Sequence, residues 1–179
     1  MGIGLSCPCF PAFPRRGLAL SMILQQGGVA LEQQTKILSQ QALAETVAAA
    51  VADGGSFMLN VTGGSMVPAL LHEKSQVELV EAGEVAPGQI VLVRRADGSL
   101  VLHRVIRREG DTLTLNGDSQ SWTEQVSVSQ VLAKVRRICR KGRWYEAGSM
   151  ADTLYYKLWG MTRPLRPAML KAYSKIKRK

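Results

Sequence analysis

The sequence predicts a mainly β protein: a compact, partly closed antiparallel β core, with one helix before it and helices after it. Three observations point there. Between Ser56 and Glu146 the chain falls into short apolar, β-branched runs punctuated by Gly, Pro, Asn and Asp. Residues 30–54 are instead rich in Ala, Leu, Gln and Glu, which are good helix formers. After Gly148, apolar residues return at helical spacing. A chain of 179 residues with 46% hydrophobic and 21% charged residues can build a real core, which excludes a disordered or disulfide-stapled class.

Taken in order, residues 1–29 are expected to be a disordered or mis-assigned extension. They hold Pro8, Pro11 and Pro14, then Arg15-Arg16 and the short apolar run Leu18–Leu24. That run is at the lower limit for a secretory h-region, so export follows only if this weak signal operates; Met22 as the true start explains the composition equally well. The opening Met-Gly-Ile-Gly-Leu-Ser fits a myristoylation pattern, a match short enough to arise by accident. Cys7-Pro8-Cys9 is too tightly spaced for a redox or metal turn, and Cys139 is far away, so neither a disulfide framework nor a zinc pattern is expected. No run approaches the length of a transmembrane helix, and the expected location is cytoplasmic or peripheral to a membrane.

Residues 30–54 form the expected N-terminal helix, with Leu31, Ile37 or Leu38, Leu43, Val47 and Val51 as its apolar stripe and Asp53-Gly54-Gly55 as its stop. The β-rich unit spans 55–147. Its expected strands are Phe57–Thr62, Gln76–Glu81, Gln89–Arg94, Leu100–Arg107, Thr112–Asn116, Val126–Ile138 and Arg143–Glu146. Asp97-Gly98 between the third and fourth makes these a hairpin. Residues 148–179 are expected to be a basic helical appendage. Ser149 and Asp152 stand at capping positions, Leu154, Tyr155, Leu158 and Trp159 on one face, and Pro164 and Pro167 interrupt it. Ala168–Lys179 follows with Leu170, Tyr173 and Ile176 on its apolar side.

Charge separates the same parts. Residues 1–133 carry 9 basic and 12 acidic side chains, net −3, whereas 134–179 carry 14 and 2, net +12. The whole excess therefore sits at the C-terminal end, as in a polyanion-seeking or a merely solubilising appendage. Together with Tyr155 and Trp159, the Lys175, Lys177, Arg178 and Lys179 cluster points to peripheral contact with an anionic membrane. No nucleic-acid partner is expected.

Three positions carry candidate chemistry. Ser65 follows Gly63-Gly64 and precedes Met66-Val67-Pro68, where a bend can free a hydroxyl and turn backbone N–H groups toward an oxyanion. Such a composition also makes ordinary loops. His103 alternates with Val101 and Val105 on one strand face, and desolvation there keeps an imidazole neutral and available as a base. A core histidine satisfied by a hydrogen bond would look the same, and His72, the other histidine, sits beside Glu73 and Lys74 in a polar loop. Asp118, in Asn116-Gly117-Asp118-Ser119, can orient an imidazole, although a tight turn requires the same residues.

Their order is informative. Gly64-Ser65-Met66-Val67-Pro68, then Gly88-Gln89-Ile90-Val91, then His103-Arg104-Val105, then Gly117-Asp118 resembles the signal peptidase I and SOS-repressor superfamily of serine peptidases over Val61–Asp118, about a third of the chain. Gln89 replaces the Asp of the second box. His103 stands where a lysine base is usual, and no lysine occurs between Lys74 and Lys134. The chain is therefore similar to the Ser–His branch, without a membrane anchor. The resemblance implies a LexA-like fold and a serine endopeptidase acting on a peptide or precursor protein, as in signal peptide processing. It implies Ser65 as nucleophile, His103 as general base and Asp118 as orienting or electrostatic support. Gly64, Thr62 and Met66 fall at oxyanion or substrate-binding positions, and no cofactor or metal is implied. Two other readings are a non-catalytic β module binding a membrane or partner through its basic end, and a self-cleaving repressor-like regulator. The latter needs paired N-terminal helices, where residues 23–55 offer one, and a cleavable pair such as Ala82-Gly83.

Overall fold

The computed structural model describes residues 28–166 together with 168 and 171, and side chains from residue 39 onward. The readings made for residues 1–27, for Leu170, Tyr173 and Ile176, and for the Lys175–Lys179 cluster lie outside the described residues, as do the side chains of Leu31, Ile37 and Leu38.

Helix α1 runs Gly28–Val51 and ends in a 3-10 turn, Ala52–Gly54. Gly54 takes a φ of 81°, the left-handed conformation that ends a helix at least cost in glycine. Ala44, Val47 and Val51 are buried and Leu43 packs beside them, so the second half of the expected stripe faces the core.

Among the described residues eight strands follow: β1 Ser56–Asn60, β2 Ser75–Val80, β3 Ile90–Arg94, β4 Leu100–Glu109, β5 Thr112–Asn116, β6 Glu124–Ser127, β7 Val131–Arg140 and β8 Arg143–Glu146. All pair antiparallel in one sheet of order β1-β2-β7-β3-β4-β5-β6, with β8 on β7. The stretch expected as one strand, Val126–Ile138, is two strands broken at Val128–Gln130. Ser127 caps that 3-10 turn, its hydroxyl accepting from Ser129 N–H while Gln130 Oε1 accepts from Ser127 N–H. This reciprocal capping stabilises the break against the β-branched composition around it.

Two apolar layers result. One gathers Val47, Met66, Leu70, Val77, Leu79, Ile90, Leu92 and Ile138, and the other Val85, Val91, Val93, Val105, Leu113, Leu115 and Val126. Strand alternation sorts β3 between them, Ile90 and Leu92 to the first, Val91 and Val93 to the second. An ion pair between buried Glu78 and the more exposed Arg136 and Arg137 braces the β2–β7 seam; Arg137 Nε donates to Glu78 at 2.5 Å and Arg136 Nη2 at 2.5 Å.

Helix α2 spans Met150–Met161, capped by the Ser149 hydroxyl accepting from Asp152 N–H, and a 3-10 turn covers Arg163–Leu165. Far from a free appendage, this segment is fastened to the β unit. Arg104 Nη1 donates to Asp152 at 3.3 Å, Trp159 Nε1 to the Asp118 carbonyl at 2.6 Å, and buried Arg166 to Asn116 Oδ1 at 2.6 Å.

Candidate active site

The Ser65 turn grows out of β1. Val61 still bonds back to Ser75 across the sheet, and residues 63–70 then fold into successive turns. Gly63 sits at φ 86°, a region in which a side chain would be strained, and its N–H donates to His72 Nδ1 at 3.0 Å. His72 is thus a brace beneath the turn, a role its polar surroundings in sequence do not disclose. Met66 is 2% exposed and packs in the first core, anchoring the turn from below. Its expected place in substrate binding is limited to the wall of one cavity.

The loop 117–123 between β5 and β6 holds the other side of the turn. Ser119 donates to the Ser65 carbonyl twice, from N–H and from Oγ, both at 2.9 Å. The contact is tight at Gly117, where a Cβ would lie 2.7 Å from the Ser65 carbonyl oxygen and 2.6 Å from Gln120 Oε1. Among the described residues, no acceptor is paired with the N–H groups of Gly64 and Ser65. A cavity of about 280 Å³ opens beside Ser65, lined by Leu59, Thr62, Leu92, Leu100 and Leu102 among others. It suits an apolar side chain of an extended ligand.

His103 is 1% exposed on β4, opposite Val91. Its Nδ1 is hydrogen-bonded to Glu124 Oε1, and Trp122 meets the ring edge-on with centroids 6.3 Å apart. Glu124 is in turn clamped by Arg95, whose Nε and Nη2 donate at 2.7 and 2.9 Å. Burial raises the Glu124 carboxyl, but the hydrogen bonds from Arg95 and His103 and the Arg95 charge outweigh it and hold the group below its ordinary range. An ionised carboxylate only accepts, so Nδ1 carries the proton and Nε2 keeps its lone pair. Burial pushes the imidazole below the usual histidine range, against the pull of Glu124, which leaves it neutral near pH 7.

Asp118 does not take the orienting position expected of it. Its carboxylate receives Arg104 Nε at 3.3 Å and Nη2 at 3.2 Å in a buried pair, and Arg104 reaches on to Asp152 and the Gly88 carbonyl. The reason is alternation: Arg104 leaves β4 on the face opposite His103 and reaches Asp118 first. Asp118 therefore acts on His103 only as a nearby charge, favouring its protonated form. The carboxylate hydrogen-bonded to the imidazole is Glu124, one strand farther along, where Leu115 pairs with Glu124 and Arg104 with Asn116.

The structure brings Ser65 and His103 to one loop, which touches Ser65 through Ser119 and the imidazole through Trp122. It does not join them directly: the hydrogen bonds among the described residues include none between the Ser65 hydroxyl and the His103 ring. Leu100 and Leu102, which line the Ser65 cavity, belong to the first core, while His103 alternates with Val101 and Val105 of the second. Ala82-Gly83, the pair considered for self-cleavage, lies in the β2–β3 connection with Ala82 packed on the second core.

A family model described as Peptidase S24-like matches residues 22–136, well over half of the chain. No curated protein matches it.

Proposed function

Since the chain belongs to the Peptidase S24-like family and carries the scaffold of a peptidase-type hydrolase, we propose that it is a serine endopeptidase in which Ser65 is the nucleophile and His103 the general base. The observation that carries the reading is the state of His103. A buried, neutral imidazole with Nδ1–H held by Glu124 keeps Nε2 unprotonated, and one loop touches both its ring, through Trp122, and the Ser65 carbonyl, through Ser119.

In this mechanism an extended peptide adds to the free edge of β1, which pairs only with β2 among the described strands and leads directly into the Ser65 turn. An apolar side chain of the peptide enters the cavity beside Leu59 and Leu100. Ser65 Oγ attacks the scissile carbonyl carbon as its proton passes to His103 Nε2. The oxyanion meets the uncommitted N–H groups of Ser65 and Gly64, with Thr62 at the rim. Collapse of the tetrahedral intermediate returns the proton to the leaving amine, and water then releases the acyl group by the same steps. Glu124 positions the base and stabilises the imidazolium, the part played by the carboxylate of a triad. Proton transfer requires the Ser65–His103 gap to close to about 2.6–3.2 Å, or to be bridged by one water, when peptide occupies the cavity.

Labelling with a fluorophosphonate probe, read by intact mass and peptide mapping, tests this directly. The wild type is expected to acquire one adduct on Ser65, and both Ser65→Ala and His103→Ala to lose it while keeping the wild-type circular dichroism. An adduct-free wild type, or labelling undiminished in His103→Ala, would leave a binding module on a peptidase scaffold.

A further inference from the structure

Helix α2 has two unlike faces. Tyr155 and Trp159 turn inward, stacked on each other at 6.1 Å, with the Arg104 guanidinium 5.8 Å from the Tyr155 ring and Arg166 5.5 Å from the Trp159 ring. They are fastened to the β unit, so the membrane contact expected of these two aromatics is not available to them. Facing outward instead are Met150, Leu154, Leu158 and Met161, at steps of four, four and three, with Leu165 continuing the row. They are 91%, 60%, 58%, 79% and 62% exposed. At 100° per residue the four side chains within the helix share an arc of about 80°. A single exposed leucine needs no explanation; a continuous row along a whole helix does.

The charge around the row says what covers it. From residue 150 to the end the sequence has eight Lys and Arg, of which Arg166 is buried against the β unit, and a single acidic residue, Asp152. That carboxylate is turned inward onto Arg104 and the Gly148 N–H, so the outer side of α2 presents no negative group. Lys157, exposed, flanks the apolar row. A second copy of the chain would bring the same positive charge to the interface, and a nucleic acid would gain nothing from a row of aliphatic and Met side chains that carries no outward ring for stacking. A lipid surface of negative charge takes both the apolar row and the cations.

We propose that α2 docks the protein on anionic membranes, lying in the interface plane with Met150, Leu154, Leu158, Met161 and Leu165 in the acyl boundary and Lys157 at the headgroups. The inference is independent of the Ser65 chemistry. It is tested by co-sedimentation of the full chain with vesicles of phosphatidylcholine alone and of phosphatidylcholine with phosphatidylglycerol. Wild type is expected to sediment only with the anionic vesicles, and less as salt rises. The Leu154→Gln/Leu158→Gln/Met161→Gln variant, altered only at exposed positions, should lose binding at least tenfold with unchanged thermal unfolding, and Lys157→Glu should weaken it. Equal binding by the triple variant, no binding by wild type, or a wild-type dimer in light scattering that the triple variant abolishes would each overturn the proposal.

Discussion

Replacing Glu124 by Gln is the sharpest probe of the proposed mechanism, because it alters one oxygen and leaves the volume almost unchanged. In the wild type Glu124 accepts from His103 Nδ1–H and from both forks of Arg95. A glutamine can present only one carbonyl oxygen to that set. If the oxygen stays with Arg95, the amide NH2 faces Nδ1 and forces the proton onto Nε2, the wrong tautomer for accepting from serine. Reversal of that kind lowers rate by about 10⁴ in triad enzymes, and here a fall of about 10³–10⁴ in the fluorophosphonate labelling rate is expected. The stability cost is much smaller. One charge-assisted bond to a part-exposed Arg95 is weakened, about 1–2 kcal/mol by urea unfolding. A second readout comes from pH. The wild-type acid limb should fall below the ordinary histidine pKa of about 6.5, since burial disfavours the imidazolium. The variant's limb should move lower still, because the carboxylate that favours the imidazolium is gone. Wild-type labelling by Glu124→Gln, or an acid limb that does not move, would refute Glu124 as the positioning carboxylate.

Further outcomes follow from the same geometry. Asp118→Asn leaves buried Arg104 short of its main counter-charge and should cost about 3–5 kcal/mol, while the protein that remains folded still labels at Ser65; loss of labelling without loss of stability would return Asp118 to the chemistry. Gly117→Ala places a Cβ 2.7 Å from the Ser65 carbonyl oxygen, so about 1–3 kcal/mol of strain should appear in urea unfolding together with slower labelling as the turn is displaced. Glu78, held down to about 2 first by the Arg137 hydrogen bond and then by that of Arg136, contributes stability that is complete above the unfolded pKa near 4.5 and disappears as pH falls toward 2. Acid titration of Glu78→Gln should show a shallower decline across that window, and identical curves would contradict the pairing.

Much of the β unit is legible in the chain because its turns are punctuated. Asp97-Gly98 defines the β3–β4 hairpin, and Thr112–Asn116 and Arg143–Glu146 stand where composition places them. The Val101, His103, Val105 face is also readable, since alternation survives until the register shift between Val105 and Arg107. Other features depend on partners distant in sequence. The break at Val128–Gln130 is a capping event, hidden within a β-branched run. Glu124 lies 21 residues beyond His103, and nothing near it marks it as special. Only the pairing of β4 with β5 and of β5 with β6 carries it to the imidazole. The sole sequence hint is its position as the last carboxylate before a stretch of basic residues. On α2, helical spacing places Leu154 and Leu158 near Tyr155 and Trp159, but it does not say which pair turns inward. Asp118, Asn116 and Arg104 decide that, by offering polar partners that only the tryptophan and the neighbouring Asp152 and Arg166 can use.

The position of β7 has a consequence for how the molecule comes into being. It lies between β2 and β3 and is the strand that joins the β1–β2 pair to the rest of the sheet. Its partners on both sides are made long before it is, Val77 meeting Ile138 and Leu92 meeting Ala133. During synthesis the first hairpin must therefore wait, edges open, until some sixty later residues have left the ribosome, and zipping then proceeds on both flanks of one ribbon. A chain cut short before Val131 would leave the β1–β2 pair, and the Ser65 turn that grows from it, without the strand that ties it to β3.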